Sequence, residues 1–294
     1  MPQLDRRNRS WWRVLDERSE VGGRGKAGLF LTHPGPSLLV TAVVVAAAAL
    51  LSQHLPSART AIGLTLVMLP AQLAIGALND WADAGADGIS KPFKPIARGA
   101  VSRTTALAVA LAGFTVSLGA AAWLGHDVLA VAALGVAAGV AYDLALKRTP
   151  AAVLGWWAGF AAVPLLAMVM TGRLRGAAEG VPLAGLLALA LQLANGLPDS
   201  DGDRLSGART MASALGVDRS RAAIGGALAV AALYVLAVRA LLGQNGLALV
   251  AAILIAAGGL VPLLPRGAQR QAFPLLALVA AGATVSWLAA LPST

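Results

Sequence analysis

The chain has 294 residues, of which 57% are hydrophobic and 13% charged, with a mean hydropathy of +0.72. Those values lie outside the range of soluble domains and describe an integral membrane protein. The absence of cysteine excludes disulfides and thiolate chemistry, three histidines are too few for an imidazole metal cluster, and the net charge of +9 comes with no nucleic-acid-binding motif.

Residues 1–36 are polar and rich in arginine, without an apolar core or a cleavage site, and are expected to form a cytoplasmic basic tail ahead of a membrane domain over residues 37–294. Trp11 and Trp12 lie among these arginines. The stretch reads as a positive flank that fixes orientation, or alternatively as a short amphipathic helix on anionic lipid. Nine apolar segments follow, at 37–55, 61–79, 104–123, 127–143, 150–170, 181–197, 221–240, 246–264 and 272–291. Most reach the roughly 20 residues that cross the hydrocarbon core of a bilayer. The fourth is the shortest, interrupted by Gly135 and Gly139 and bracketed by Asp127 and Asp143.

Charge sorting supports nine crossings. With the amino terminus in the cytoplasm and sides alternating, all of the 23 basic residues except Arg59, Arg173, Arg175 and Arg239 fall on the cytoplasmic side, as the positive-inside rule requires. The predicted location is therefore the cell's inner or plasma membrane, with the loops after spans two, four and six facing the cytoplasm. Abundant glycine and alanine let such helices pack closely, with Gly155 and Gly159 a candidate small-residue contact within the monomer.

The loops after spans two and six carry one spaced triplet twice: Asn79, Asp83, Asp87 and Asn195, Asp199, Asp203. At i, i+4 and i+8 on a helix, such residues share a face, so each triplet is expected to aim two acids the same way at the membrane edge. The first loop adds Asp80 and then Lys91, Lys94 and Arg98, with Pro92 and Pro95 stiffening the stretch. Clustered carboxylates without histidine or thiol are hard oxygen ligands suited to Mg²⁺, and nearby lysine and arginine suit phosphate oxygens. Together they describe a site for a magnesium diphosphate. The second loop also runs acids first and bases after, with Asp201 and Arg204 among them. A calcium loop of the EF-hand type fails there, because Arg204 stands where glycine is required and Thr210 where glutamate is required. The turn after span four brings Tyr142, Asp143, Lys147 and Arg148 to the same side of the membrane.

These residues resemble the UbiA-type intramembrane prenyltransferases, whose Asn-Asp-x-x-Asp-x-x-x-Asp motif after the second helix is matched by Asn79, Asp80, Asp83 and Asp87, and whose Asp-x-x-x-Asp motif after the sixth is matched by Asp199 and Asp203. Lys91 to Arg98 is similar to the family's basic, proline-containing continuation, and Tyr142 to Lys147 to its Tyr and Lys pattern after helix four. That last spacing is one residue longer than the shortest family form, and His33 stands nearest to where some members carry an arginine before helix one. The resemblance implies an all-α integral membrane fold of nine transmembrane helices around a central cavity, with two Mg²⁺ ions holding an isoprenoid diphosphate.

It also implies roles. Asp83, Asp87, Asp199 and Asp203 are the expected metal ligands, with Asn79 and Asp80 completing or orienting the shell. Lys91, Lys94, Arg98, Lys147 and Arg204 are expected to hold phosphate oxygens. Tyr142, Trp156, Trp157 and Phe160 are candidate walls for the prenyl chain, although tryptophan is also common at membrane interfaces. The implied reaction moves a prenyl chain from its diphosphate to a lipid-soluble, most often aromatic, acceptor on a quinone-like or related pathway. Two alternatives remain open on sequence. One is a cyclase of the same family that needs no acceptor. The other is a carrier using the acids as an ion site, against which stands the placement of those acids at the membrane edge rather than at midplane.

Overall fold

The computed structural model describes residues 31, 34–90, 94–200, 203–204, 209–265 and 268–292. Residues 1–30 of the basic tail, with Trp11 and Trp12, and His33, Lys91 and Asp201 lie outside them, while Pro34 to Pro36 belong to the first helix rather than to the tail. Within the described residues the fold is all helical, as expected. Nine helices of the membrane domain run in chain order: α1 (Pro34–Ser52), α2 (Ala58–Ser90), α3 (Arg103–Leu124), α4 (His126–Ala141), α5 (Ala152–Thr171), α6 (Ala177–Gly196), α7 (Val217–Leu242), α8 (Leu247–Gly258) and α9 (Gln269–Ala289). Eight of them are long and apolar enough to cross a membrane.

The expected weak point lies elsewhere than the sequence suggests. The fourth segment, with its two glycines, is a full span once the π turn Tyr142–Leu146 that continues α4 is included. The eighth is the short one. Gly258 and Gly259 end α8 after 12 residues, and Pro262 bends the remaining apolar stretch into the 3₁₀ turn Val261–Leu263. At 1.5 Å per residue, α8 is only about 18 Å long.

Successive helices pack side by side around a ring that α9 closes against α1, and α1 also meets α5 while α6 meets α9. Polar tethers fix the ends of this ring. Arg221 at the start of α7 donates to the carbonyls of Pro262 and Leu264 after α8. At the other end Arg175, after α5, donates to the Leu242 carbonyl that finishes α7, at 3.2 Å.

The α2–α3 pair shows how small residues draw helices together. Along α3 the buried residues are Ala106, Ala110, Ser117 and Ala121, a stripe that lets backbones approach. A Cβ on Gly113, in the same stripe, would stand 2.7 Å from the Pro70 carbonyl oxygen of α2. Pro70 removes one backbone donor inside α2, and next to it Ser117 donates its hydroxyl to the Val67 carbonyl at 2.7 Å. Between α3 and α4 the chain turns on the single residue Gly125, whose φ of 148° suits glycine alone. Of the pair expected to pack inside the molecule, Gly155 lies against Tyr142 of α4's end, whereas a Cβ on Gly159 would meet open space.

Candidate active site

α2 carries the first motif, and it does so as helix. Its 33 residues span about 50 Å at the ordinary rise, so the helix continues well past the membrane and Asn79 to Asp87 lie on its projecting end rather than in a loop. This corrects the expected boundary after span two. No proline stands there, the helix runs through Gly85 and Gly88, and its acids find partners on neighbouring elements that hold the projecting turns.

Asp80, Asp83 and Asp87 fall within about 60° of one another around the helix, yet their side chains divide between two cations. A step of seven residues returns a helix to within about 20° of its start, closer than a step of four. Asp80 and Asp87 accordingly stand together, both buried, and both bind the Lys94 ammonium at 2.8 Å. Asp83 turns instead towards α4, where Lys147 lies at 2.8 Å and Arg148 at 3.6 Å. The expectation that Asp83 and Asp87 point the same way is thus replaced by two acid–ammonium groups side by side. Burial alone would depress the Lys94 ammonium, but the charges of Asp80 and Asp87 and their hydrogen bonds outweigh it and hold its pKa above the usual 10.5. Lys94 therefore stays charged across the physiological range.

The end of α4 closes the second group. Tyr142–Leu146 forms a π turn in which the Lys147 N–H reaches the Tyr142 carbonyl at 2.9 Å. The wide turn takes up the extra residue in the Tyr-to-Lys spacing, and such turns recur at functional sites. It also buries Asp143, which the sequence marked only as one charge among several in this turn. The Asn79 amide donates to Asp143 at 2.7 Å, and Lys147 stands 4.0 Å from the same oxygen. Since only the amide nitrogen can donate to a carboxylate, this bond turns the Asn79 carbonyl oxygen away from Asp143.

The second triplet departs from helix. α6 stops at Gly196 and Pro198 shapes a 3₁₀ turn, Leu197–Asp199, so Asn195, Asp199 and Asp203 do not share one helical face as expected. Asn195 and Asp199 are exposed and Asp203 is half-buried. Thr210 donates to Asp203 at 3.0 Å while its own hydroxyl caps the single-turn helix Met211–Leu215. Arg204 and Arg98 are exposed, with Arg98 on the turn that Lys94 opens.

Beneath Tyr142 lies an aromatic wall. Trp156 meets Tyr142 edge-on at 6.0 Å, stacks on Phe160 at 5.7 Å and meets Phe273 of α9 edge-on at 5.9 Å. Phe273 was not singled out in the sequence, because α9 carries no motif. Trp157 separates from this group: it is 38% exposed and bonds the Val181 carbonyl at 2.7 Å.

Residues 38–272 match the profile of the UbiA prenyltransferase family. The chain belongs to that family. It is 31% identical over 209 residues to the digeranylgeranylglyceryl phosphate synthase of Methanoregula boonei, covering 67% of this chain and 71% of that one. The apo structure of a UbiA homologue from Aeropyrum pernix K1 superimposes with a TM-score of 0.71 at 22% identity, covering 84% of this chain and 96% of that one. A UbiA homologue from Archaeoglobus fulgidus bound to GPP and Mg²⁺ gives 0.69 at 16% identity, covering 88% and 99%. As a UbiA prenyltransferase the protein is an enzyme, and the carrier alternative falls.

The UbiA motifs can be tested for a fit to divalent metal on donor chemistry. Among the described residues no three acids converge as a ready-made metal cluster, and the Lys94 and Lys147 ammonium groups stand among the carboxylates. The donors themselves, Asp80, Asp83, Asp87, Asp199, Asp203 and the Asn79 carbonyl, are all hard oxygens, the set that Mg²⁺ prefers. In kind they fit that ion.

Proposed function

We propose that this enzyme transfers a prenyl chain, with Mg²⁺, from its diphosphate to the hydroxyl of a glycerophosphate-type acceptor. The observation that carries the reading is the pair of acid–ammonium groups at the ends of α2 and α4, Lys94 with Asp80 and Asp87, and Lys147 with Asp83. A site of this kind can meet a diphosphate with both signs of charge. Asp83, Asp87, Asp199 and Asp203, with Asn79, would hold Mg²⁺, which when bound neutralises the diphosphate and improves it as a leaving group. Lys94 and Lys147, each on a long flexible stem, can turn from carboxylate to phosphate oxygens, and Arg98 and Arg204 add exposed cations at the same end.

The reaction breaks the bond between the allylic carbon and the diphosphate oxygen, and the electron pair leaves with the diphosphate. The positive character left on the carbon must be shielded from water until the acceptor oxygen attacks. Tyr142, Trp156, Phe160 and Phe273 supply an apolar wall whose ring faces favour a cation. Preorganised cations at the diphosphate end lower the barrier at the point where negative charge develops.

The acceptor differs from the aromatic ring that the sequence suggests. Likeness to digeranylgeranylglyceryl phosphate synthases favours a phosphorylated glycerol whose free hydroxyl becomes an ether. The test is to incubate purified protein in lipid with Mg²⁺ and a series of prenyl diphosphates, offering a long-chain glycerol ether phosphate or an aromatic acid as acceptor, and to identify products by mass spectrometry. A prenyl ether is the expected product. Carbon-prenylated aromatic product, or a cyclic hydrocarbon formed without acceptor, overturns the proposal.

A further inference from the structure

Asp143 belongs to neither UbiA motif, yet it is 2% exposed in the π turn that finishes the fourth membrane span. Burying a carboxylate there is costly, and intramembrane acids are kept where they serve a function. It reaches α2 through the Asn79 amide, whose nitrogen donates to its Oδ1 at 2.7 Å. The Lys147 ammonium stands 4.0 Å from the same oxygen and 2.8 Å from Asp83, and Asp83 follows Asn79 by one turn of α2. Asn79, Asp143, Lys147 and Asp83 therefore close a ring across the two helix ends. An amide has a donor end and an acceptor end of nearly the same shape, and a partner that both donates and accepts can hold it either way round. A carboxylate beside an ammonium only accepts. It keeps the nitrogen of Asn79 on Asp143 and leaves the carbonyl oxygen, the end that suits a hard cation, on the other branch of the amide. A neutral side chain would join the two helices at less cost in desolvation, but without choosing the end.

We infer that Asp143 is a positioning residue that selects this orientation of Asn79, so that position 79 presents oxygen and never nitrogen to a divalent cation. This rests on the Mg²⁺ reading proposed above and extends it to a residue outside both motifs. Outer partners that orient metal-binding groups in this way govern metal affinity without touching the metal. Asp143 acts through Asn79, and its effect on the metal disappears when the amide is gone.

The test titrates Mn²⁺, a stand-in for Mg²⁺ visible by electron paramagnetic resonance, into the full-length protein in lipid nanodiscs, with an unreactive prenyl thiodiphosphate present and no turnover. Thermal unfolding of each metal-free variant is followed alongside by intrinsic tryptophan fluorescence. Asp143→Leu, close in shape and without an acceptor, is expected to weaken Mn²⁺ binding about tenfold or more. Asp143→Asn, which keeps the shape but can meet Asn79 with either end, is expected to lose about threefold. In an Asn79→Ala background, where no amide is left to orient, each Asp143 substitution is expected to change Mn²⁺ affinity by less than about twofold. An acid that merely holds the fold would instead lower Tm and leave the metal affinity of the folded protein alone, or weaken it equally in both backgrounds. Wild-type Mn²⁺ affinity in either folded Asp143 variant, or an equal loss with and without Asn79, overturns the assignment of Asp143 while leaving the metal reading intact. Wild-type protein that binds no Mn²⁺ beside the thiodiphosphate overturns the metal reading and this assignment together.

Discussion

Asp83 and Lys94 separate catalysis from stability at the level of single side chains. Asp83 is partly exposed and holds Lys147, so Asp83→Asn removes one ligand charge without changing shape. Turnover is expected to fall by at least about a hundredfold, with the melting temperature nearly unchanged, read by product formation and by thermal unfolding in detergent. Lys94 is different, because two buried carboxylates depend on it. Lys94→Met removes from both the ammonium they bind at 2.8 Å, at an expected cost of about 3 kcal/mol, visible as a drop in the same unfolding transition. The mixture of acids and lysines that meets here was legible in the sequence, since both residue types stand within one motif and its continuation. Their partition was not. Asp87 belongs with Asp80 rather than with Asp83 because a helix turns 3.6 residues at a time and not 4, and the importance of Asp143 comes from a neighbour 64 positions away.

Among the helices, the close crossing of α2 and α3 is the most sensitive to side-chain volume. Gly113→Val would drive a branched side chain into the Pro70 carbonyl and the Ala74 methyl, the latter only 2.8 Å from where a Cβ would begin. The Pro70 carbonyl is backbone and cannot move aside as a flexible side chain would. Loss of folded protein is expected, or destabilisation of about 3 kcal/mol if the helices part to admit the group, measured as yield and as unfolding temperature. Gly159→Val, which meets open space, is the matched substitution expected to change little. Existence and order of the helices followed from apolar length, but their ends did not. α2 runs past the membrane because no residue stops it, α6 ends early at Gly196 and Pro198, and α4 widens into a π turn. Each outcome depends on where projecting backbone finds partners, which apolar periodicity does not record.

Across the molecule, the ring of helices and the alternation of their ends put the acids of α2, the π turn of α4 and the end of α6 on one side. The chain contains no cysteine, so single cysteines can report orientation without background. Arg98→Cys is expected to react with a membrane-impermeant maleimide only from the cytoplasmic side. Leu55→Cys, between α1 and α2 and 87% exposed, is expected to react only from the opposite side. Labelling intact and inverted vesicles decides this, and reversed labelling would overturn the positive-inside assignment.

The brevity of α8 reaches beyond the protein to the lipid around it. Even with the turn that follows, its apolar stretch of 17 residues measures about 25 Å against a hydrocarbon core of about 30 Å. On that flank the leaflets must dimple inwards, and acyl chains that are already short do so at least expense in elastic deformation. The enzyme should therefore sort towards thin, fluid regions of its host membrane and work fastest when reconstituted with short-chain phospholipids. The local composition of the bilayer then becomes a control on output that acts from outside the catalytic chamber.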